Sequence, residues 1–154
     1  MVNDMFDKQL STRAKSRKRI MFIKESFNGG GAARVICRLM NRLCREHQVY
    51  FVFFGVNAAP YYIDPAVCVI HVKSRNYEKA EKNSALKKDV FWRLKNYIDF
   101  LRKRKLIKRL KNQYQIDTTV SFLTLGNMVN IFAGGRDRKI VAVGRLAKQK
   151  NHKS

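Results

Sequence analysis

At 154 residues and 45% hydrophobic composition, the chain is long enough for one α/β domain with a real core and too short for two of ordinary size. Lysine and arginine total 33 against 11 acidic residues, a formal charge of +22; nucleic acid, an anionic bilayer and phosphorylated substrates stay open as partner classes, and an acidic partner-repelling surface is excluded. The longest apolar run, Val49 to Val56, falls far short of the roughly 20 residues that span a bilayer.

Residues 1–17 are polar and basic, through Lys8, Arg13, Lys15 and Arg17, and read as a mobile tail. Asp4 and Asp7 precede that cluster and no apolar segment follows, so no signal peptide is expected. Arg19 to Ser26 is a first strand. Ala32 to Glu46 is a helix whose core face is expected to carry Val35, Ile36, Leu39, Met40 and Leu43. Val49 to Gly55 is too uniformly apolar for a half-exposed strand and belongs in a parallel sheet, buried on both faces. Ala66 to Val72 forms a third strand.

A long helical region follows, with Leu86, Val90, Phe91, Leu94, Ile98 and Leu101 at core spacing. The phase slips through Arg102-Lys-Arg-Lys105 before Ile107, Leu110 and Tyr114 resume it, which fits one kinked helix or two. Thr118 to Leu125 is a fourth strand, Asn127 to Ala133 a short helix and Lys139 to Val143 a fifth strand. Strands alternating with helices imply a doubly wound, mostly parallel, Rossmann-like α/β sheet.

The strongest motif is the first strand running into Gly29-Gly-Gly31 at the opening of a helix. Glycines there bring bare backbone N–H groups and a helix N-terminus up to an anionic or polar ligand; the plain alternative is a flexible turn. No Lys-Ser or Lys-Thr follows at Walker spacing, Arg34 stands at the third glycine position of a dinucleotide fingerprint, and the second strand ends without a ribose-binding acid. Cys37, Cys44 and Cys68 form no spaced framework and read as reduced packing residues of a cytosolic protein. His47, His71 and His152 have no ligand spacing, so no metal site is assigned. Asp64 and Asp117 read as turn and strand-entry residues. The run Arg102 to Lys105, with Lys108, Arg109 and Lys111, reads as a solvated helix face able to adhere to anionic lipid; the helical spacing of Phe91, Trp92 and Phe100 favours core over the alternative of an interface anchor.

Gly30-Gly-Ala-Ala-Arg-Val35 resembles the Gly-Gly-Ala-Glu-Arg-Val loop of family-four retaining glycosyltransferases of the GT-B fold, with Ala33 where Glu is common. Glu46 to Val52 resembles that family's turn into its second strand, and Leu106 to Gln115 followed by Ile116 to Asn127 its basic helix, later strand and site loop. Ile140-Val-Ala-Val-Gly-Arg-Leu-Ala-Lys-Gln-Lys-Asn151 resembles the segment that opens the donor-binding second domain. The four matches stand in the family's order.

The resemblance implies the N-terminal half of a GT-B enzyme, transferring a sugar from a nucleotide-sugar to a lipid-linked or polysaccharide acceptor in cell-surface glycan synthesis such as lipopolysaccharide. It implies an acceptor side built by Gly30, Gly31, Arg34, Ser121, Thr124 and Asn127, and diphosphate contacts from Arg145 and Lys150. It also implies no metal or other cofactor, and a cytoplasmic location, peripheral at the inner membrane face. No catalytic residue is assigned. Residues 18–138 would be the acceptor-side domain and 139–154 the remnant of the donor domain, whose Glu-x7-Glu motif has no counterpart among Glu25, Glu46, Glu78 and Glu81. A chain of this kind is expected to be incomplete and inactive alone. The alternatives are a non-enzymatic basic protein binding nucleic acid or anionic membrane, and a pseudoenzyme that folds without catalysing; no specific nucleic-acid partner is expected, because the aromatics sit within apolar elements.

Overall fold

The computed structural model describes residues 17–55, 57–58, 60–72 and 90–143, with side chains from residue 93 onward in the last range. Leu86, Arg145, Lys150, all but Arg17 of the basic tail, and the side chains of Phe91 and Trp92 lie outside the described residues. In chain order the elements are β1 (Arg19–Lys24), α1 (Gly31–Leu43), β2 (Gln48–Phe53), β3 (Cys68–His71), α2 (Val90–Gln113), β4 (Thr118–Phe122), α3 (Thr124–Ala133) and β5 (Arg138–Ala142). The strands form one sheet in the order β3-β2-β1-β4-β5, every neighbouring pair parallel. This is the Rossmann-like α/β arrangement expected from the alternation.

Because helices cover both faces, β1 and β2 are apolar at consecutive positions, Ile20 to Ile23 and Val49 to Phe53, rather than at alternate ones. On one face Ile20, Phe22, Val49, Phe51 and Phe53 pack against Ala33, Ile36, Cys37, Met40 and Cys44 of α1 and its C-terminal end. On the other, Met21, Ile23, Tyr50, Val52 and Phe54 pack against Ile107 and Leu110 of α2 and Val129 and Ala133 of α3. The core stripe of α1 is therefore rotated from the one expected: Val35 and Leu39 are 50% and 41% exposed. Two small residues, Ala33 and Cys37, take the sheet-facing positions, where they let the helix approach closely. Cys37 and Cys44 are buried, but Cys68 is exposed on the edge strand β3 and is not a packing residue. Asp64 accepts from the Ala66 amide at 2.9 Å and Asp117 from the Arg19 amide at 2.8 Å, the turn and strand-entry roles expected of them.

The basic stretch Arg102 to Lys111 is one continuous helix without a break, and it is not uniformly solvated. Lys103 is buried, paired with Asp99 at 2.6 Å and lying over the Phe54 ring. Lys111 is buried too. Its ammonium donates to Asn130 Oδ1 at 2.8 Å, Asp137 Oδ2 at 2.9 Å and the Gly134 carbonyl at 3.4 Å, and Asn130 in turn donates to Ser121 Oγ at 3.0 Å. One nitrogen thus ties α2 to α3 and to the turn into β5, and Asn130 extends the tie to β4.

Burial pulls the Lys111 pKa below the ordinary lysine value, against the opposing hydrogen bond and charge of Asp137. For Asp137, burial works against the charge, but the nearby Thr119 hydroxyl, the hydrogen bond from Lys111 and the charges of Lys111 and Lys139 outweigh it and hold the pKa below the usual carboxylate range. The two shifts pull the pair's ionisation in opposite directions. Three acceptors around one ammonium favour the charged pair, since only the protonated amine has three hydrogens to give.

Removing one partner of such a buried pair strands the other charge, so Asp137→Asn is expected to cost about 3 kcal/mol in urea unfolding. The folded pKa of Asp137 is depressed, so its stabilisation is complete above the unfolded value of about 3.9 and disappears as pH falls through the folded value. The substitution should therefore flatten the acid limb of the stability–pH curve; an unchanged limb would mean that other carboxylates govern it.

Candidate functional site

Strand order reverses between β1 and β4. From β1 the chain builds outward through β2 to β3, and from β4 it builds the other way to β5. The turns leaving the C-terminal ends of these two strands diverge to opposite faces of the sheet, one into α1 and one into α3, the switch point at which open α/β sheets form a ligand crevice. That crevice is the candidate site.

Its first wall is the β1–α1 turn. Phe27 is buried against Phe51 and Phe53, with ring centroids 5.2 and 5.8 Å away. The Phe27 carbonyl accepts from the Ala58 amide and the Glu25 carbonyl from the Phe54 amide. The base of the turn is thus fixed to the segment after β2, while Asn28, Gly29, Gly30 and Gly31 are exposed above it. Gly30 has φ 113°, a conformation that L side chains rarely adopt, and it is the N-cap of α1 without any side-chain cap. No acid stands in the first turn of α1. The leading N–H groups of a thirteen-residue helix therefore point to solvent, with the exposed Arg34 one turn further on.

Beneath this turn lies Lys24, the last residue of β1, which the motif reading did not single out. It is 2% exposed, and its ammonium donates to the Ser26 carbonyl at 2.6 Å; Ser26 Oγ in turn meets Asn28 Oδ1 at 3.0 Å. Burial lowers the Lys24 pKa, with Glu25 and Cys37 acting in the opposite sense, and burial pushes the Cys37 thiol up. The signal available in the sequence was a lysine directly after four apolar strand residues and ahead of the glycines.

The second wall is the β4–α3 turn. Leu123 has φ 66°, rare for a branched side chain and of order 1–3 kcal/mol in strain, and it is the uncapped N-cap of α3. Thr124 follows, exposed. At Gly126 a Cβ would stand 3.3 Å from the Ile23 carbonyl, so a bare Cα is what lets α3 start this close to the end of β1. Asn127 donates from Nδ2 to the Ala142 carbonyl at 3.2 Å, and its buried Oδ1 has no hydrogen-bond partner among the described residues.

Of the residues nominated from sequence, Gly30, Gly31 and Arg34 lie on one wall and Thr124 and Asn127 on the other. Ser121 stands apart: it is fully buried under α3 and engaged by Asn130. Arg145 and Lys150 lie outside the described residues. Leu123, Gly126 and Asn130 were missed, because strain, backbone approach and a buried network are properties of packing.

No protein-family model matches the chain. Among curated proteins it is similar to GalNAc-alpha-(1->4)-GalNAc-alpha-(1->3)-diNAcBac-PP-undecaprenol alpha-1,4-N-acetyl-D-galactosaminyltransferase of Campylobacter jejuni, with 29% identity over 115 residues. The match covers 75% of this chain and 28% of that protein's length, so the chain spans little more than a quarter of the relative it matches.

Proposed function

We propose that the chain is the acceptor-side part of a glycosyltransferase of the GT-B, family-four type, working on a lipid-linked or polysaccharide acceptor at the inner face of the membrane. The observation that carries the reading is the switch-point crevice between an uncapped glycine turn and the β4–α3 turn. Similarity to a transferase named for a PP-undecaprenol-linked glycan supports it.

In this reading the glycine turn and Arg34 face the anionic part of a bound substrate, since unsatisfied helix N–H groups and a guanidinium both favour phosphate oxygens. Asn127 Oδ1, an acceptor without a donor, fits a sugar hydroxyl. Lys24 holds the turn from below. Arg145 and Lys150 would neutralise the nucleoside-diphosphate leaving group as its charge develops, so that retaining transfer demands little of a protein base. The reading assigns no metal or other cofactor, and the nucleotide-sugar enters as substrate.

Nucleic-acid binding is the rival that the charge of +22 motivates. The large aromatics Phe22, Phe27, Phe51, Phe53 and Phe54 are fully buried, which removes them as a base-stacking platform. Duplex DNA should therefore bind by phosphate charge alone, and affinity should fall by about three orders of magnitude between about 50 and 200 mM salt. Tight binding retained at the higher salt, measured by fluorescence anisotropy, would favour the rival.

Calorimetric titration tests the transferase reading. A short-chain polyprenyl-diphosphate glycan is expected to bind and to lose about tenfold in affinity on Arg34→Ala, the scale of one charge-assisted contact; an unchanged affinity would remove the glycine turn from the site. Nucleotide-sugars alone are expected to bind this 154-residue polypeptide weakly and to give no measurable transfer, because a donor needs both walls of its cleft. Micromolar binding abolished by Arg145→Ala or Lys150→Ala would make residues 139–154 a working donor wall instead.

A further inference from the structure

Exposed apolar side chains gather on α2 and on the sheet. Along α2, Leu94, Tyr97 and Ile98 stand 54%, 58% and 40% exposed, although Leu94 and Ile98 are at core spacing in the sequence. The gathering on the sheet lies on the face that α1 covers. There α1 packs over Ile20 and Phe22 of β1 and over Val49, Phe51 and Phe53 of β2, while α2 and α3 lie on the opposite face. Val120 and Phe122 of β4 share the α1 face and are only partly buried. Ile140 of β5, in register with Val120, continues this surface and is 43% exposed. Among the described residues no helix covers β4 and β5 on this side.

Asn41 shows which flank of α1 looks over that surface. Its side chain donates to the Tyr62 carbonyl at 3.0 Å and accepts from the Asp64 amide at 2.9 Å, in the segment that leads into β3. The Asn41 flank is therefore turned to the β3 side. At about 100° per residue, Leu39 and Leu43 fall on the other flank, toward β4, with Val35 above them. Leu43 packs against the core, whereas Leu39 and Val35 are exposed. The result is an apolar trough, with α1 as its wall and the β4–β5 face as its floor. Arg38 and Arg42, both exposed, line its upper rim.

We propose that the chain's own N-terminal segment, residues 1–16, docks in this trough as an amphipathic helix. Its large apolar residues Val2, Met5, Phe6 and Leu10 have the i, i+3, i+4, i+8 spacing of one helix face. The other long segments outside the described residues are poorer in such groups: residues 73–89 offer Tyr77 and Leu86, and residues 144–154 only Leu146. Asp4 and Asp7 lie off the apolar face, with the charge that suits Arg38 and Arg42 on the rim. The attachment point also fits. The segment joins β1, which pairs directly with β4, so β4 and β5 lie about 5 and 10 Å to one side. Residues 11–16 reach about 20 Å when extended. Ten helical residues span about 15 Å, close to the roughly 16 Å of a five-residue strand such as β4 or β5. A short tether gives the segment a millimolar effective concentration at the trough, whereas a second copy would bring two charges of +22 together. The docking does not depend on the transferase reading.

The test is hydrogen exchange of the full chain, read by mass spectrometry. The amides of residues 2–10 are expected to exchange at least about tenfold more slowly than in Phe6→Asp with Leu10→Asp, a change confined to the segment. Leu39→Asp with Ile140→Asp should remove the same protection from the side of the trough. Leu39→Ser with Ile140→Ser gives a milder version should the acidic pair unfold the chain, and circular dichroism checks both. Trypsin cleavage after Lys8 should quicken by about tenfold in the segment and trough variants alike. Three results would overturn the inference. The first is a wild-type segment whose amides exchange unprotected, and the second is protection that persists in a folded trough variant. The third is protection that appears only at concentrations where light scattering reports a dimer, which would put a second copy in the trough. None of these bears on Arg34 and the glycan titration, so the docking and transferase readings fail separately.

Discussion

The Lys111 ammonium sets the arrangement of everything on its side of the sheet. It is the only atom at which α2, α3 and the turn into β5 are joined by charge and hydrogen bonding among the described residues, and Asn130 extends the connection to β4 through Ser121. A cation buried this deeply tolerates little displacement, because each lost acceptor leaves a charge in a low-dielectric interior. The rotation of α2 about its axis is thereby fixed. Once Lys111 and Lys103 point inward, Leu94 and Ile98 point outward, and the exposed apolar strip is the geometric counterpart of the buried lysines.

That rotation was hidden in the sequence for a definable reason. Apolar periodicity assigns Leu94, Ile98 and Leu101 to the core and lysines to solvent, which holds when each helix has one buried face. In α2 the buried face of the C-terminal half includes two lysines, and in the other half Phe100 packs against the core and Phe132 while Leu94 and Ile98 stand exposed. The phase slip through Arg102 to Lys105 was visible; its meaning needed the partners, Asp99 and Phe54 for Lys103 and Asp137 for Lys111. In α1, similarly, the size of side chains decided the matter. Ala33 and Cys37 face the sheet while the larger Val35 and Leu39 do not.

The strands were legible because the rule that governs them is local. Ile20 to Ile23 and Val49 to Phe53 are apolar at consecutive positions, which only a sheet covered on both faces accommodates, and the alternation with helices then fixed the parallel order. The glycine turn was legible for a similar reason, since a conformation such as φ 113° at Gly30 demands glycine in the sequence itself. The opposite wall of the crevice was half legible. Thr124 and Asn127 stand where motif reading put them, whereas Ser121 belongs to the Lys111 network and Leu123 holds a strained conformation that no composition reveals.

Charge and apolar surface acquire meaning from where they meet. A formal charge of +22 spread evenly would describe any polyanion binder, and exposed apolar residues scattered singly would need no explanation. On α2 the two occur on one line, with exposed Leu94, Tyr97 and Ile98 followed by exposed Lys105, Lys108 and Arg109. Along β5 they separate differently: Arg138 and Lys139 occupy the start of the strand, and Ile140 and Val141 stand exposed after them. Cations there sit where an edge strand needs protection from pairing, and they form no continuous strip with a helix face. The same residue types thus follow one another along a short edge strand in β5 and share one exposed helix face in α2.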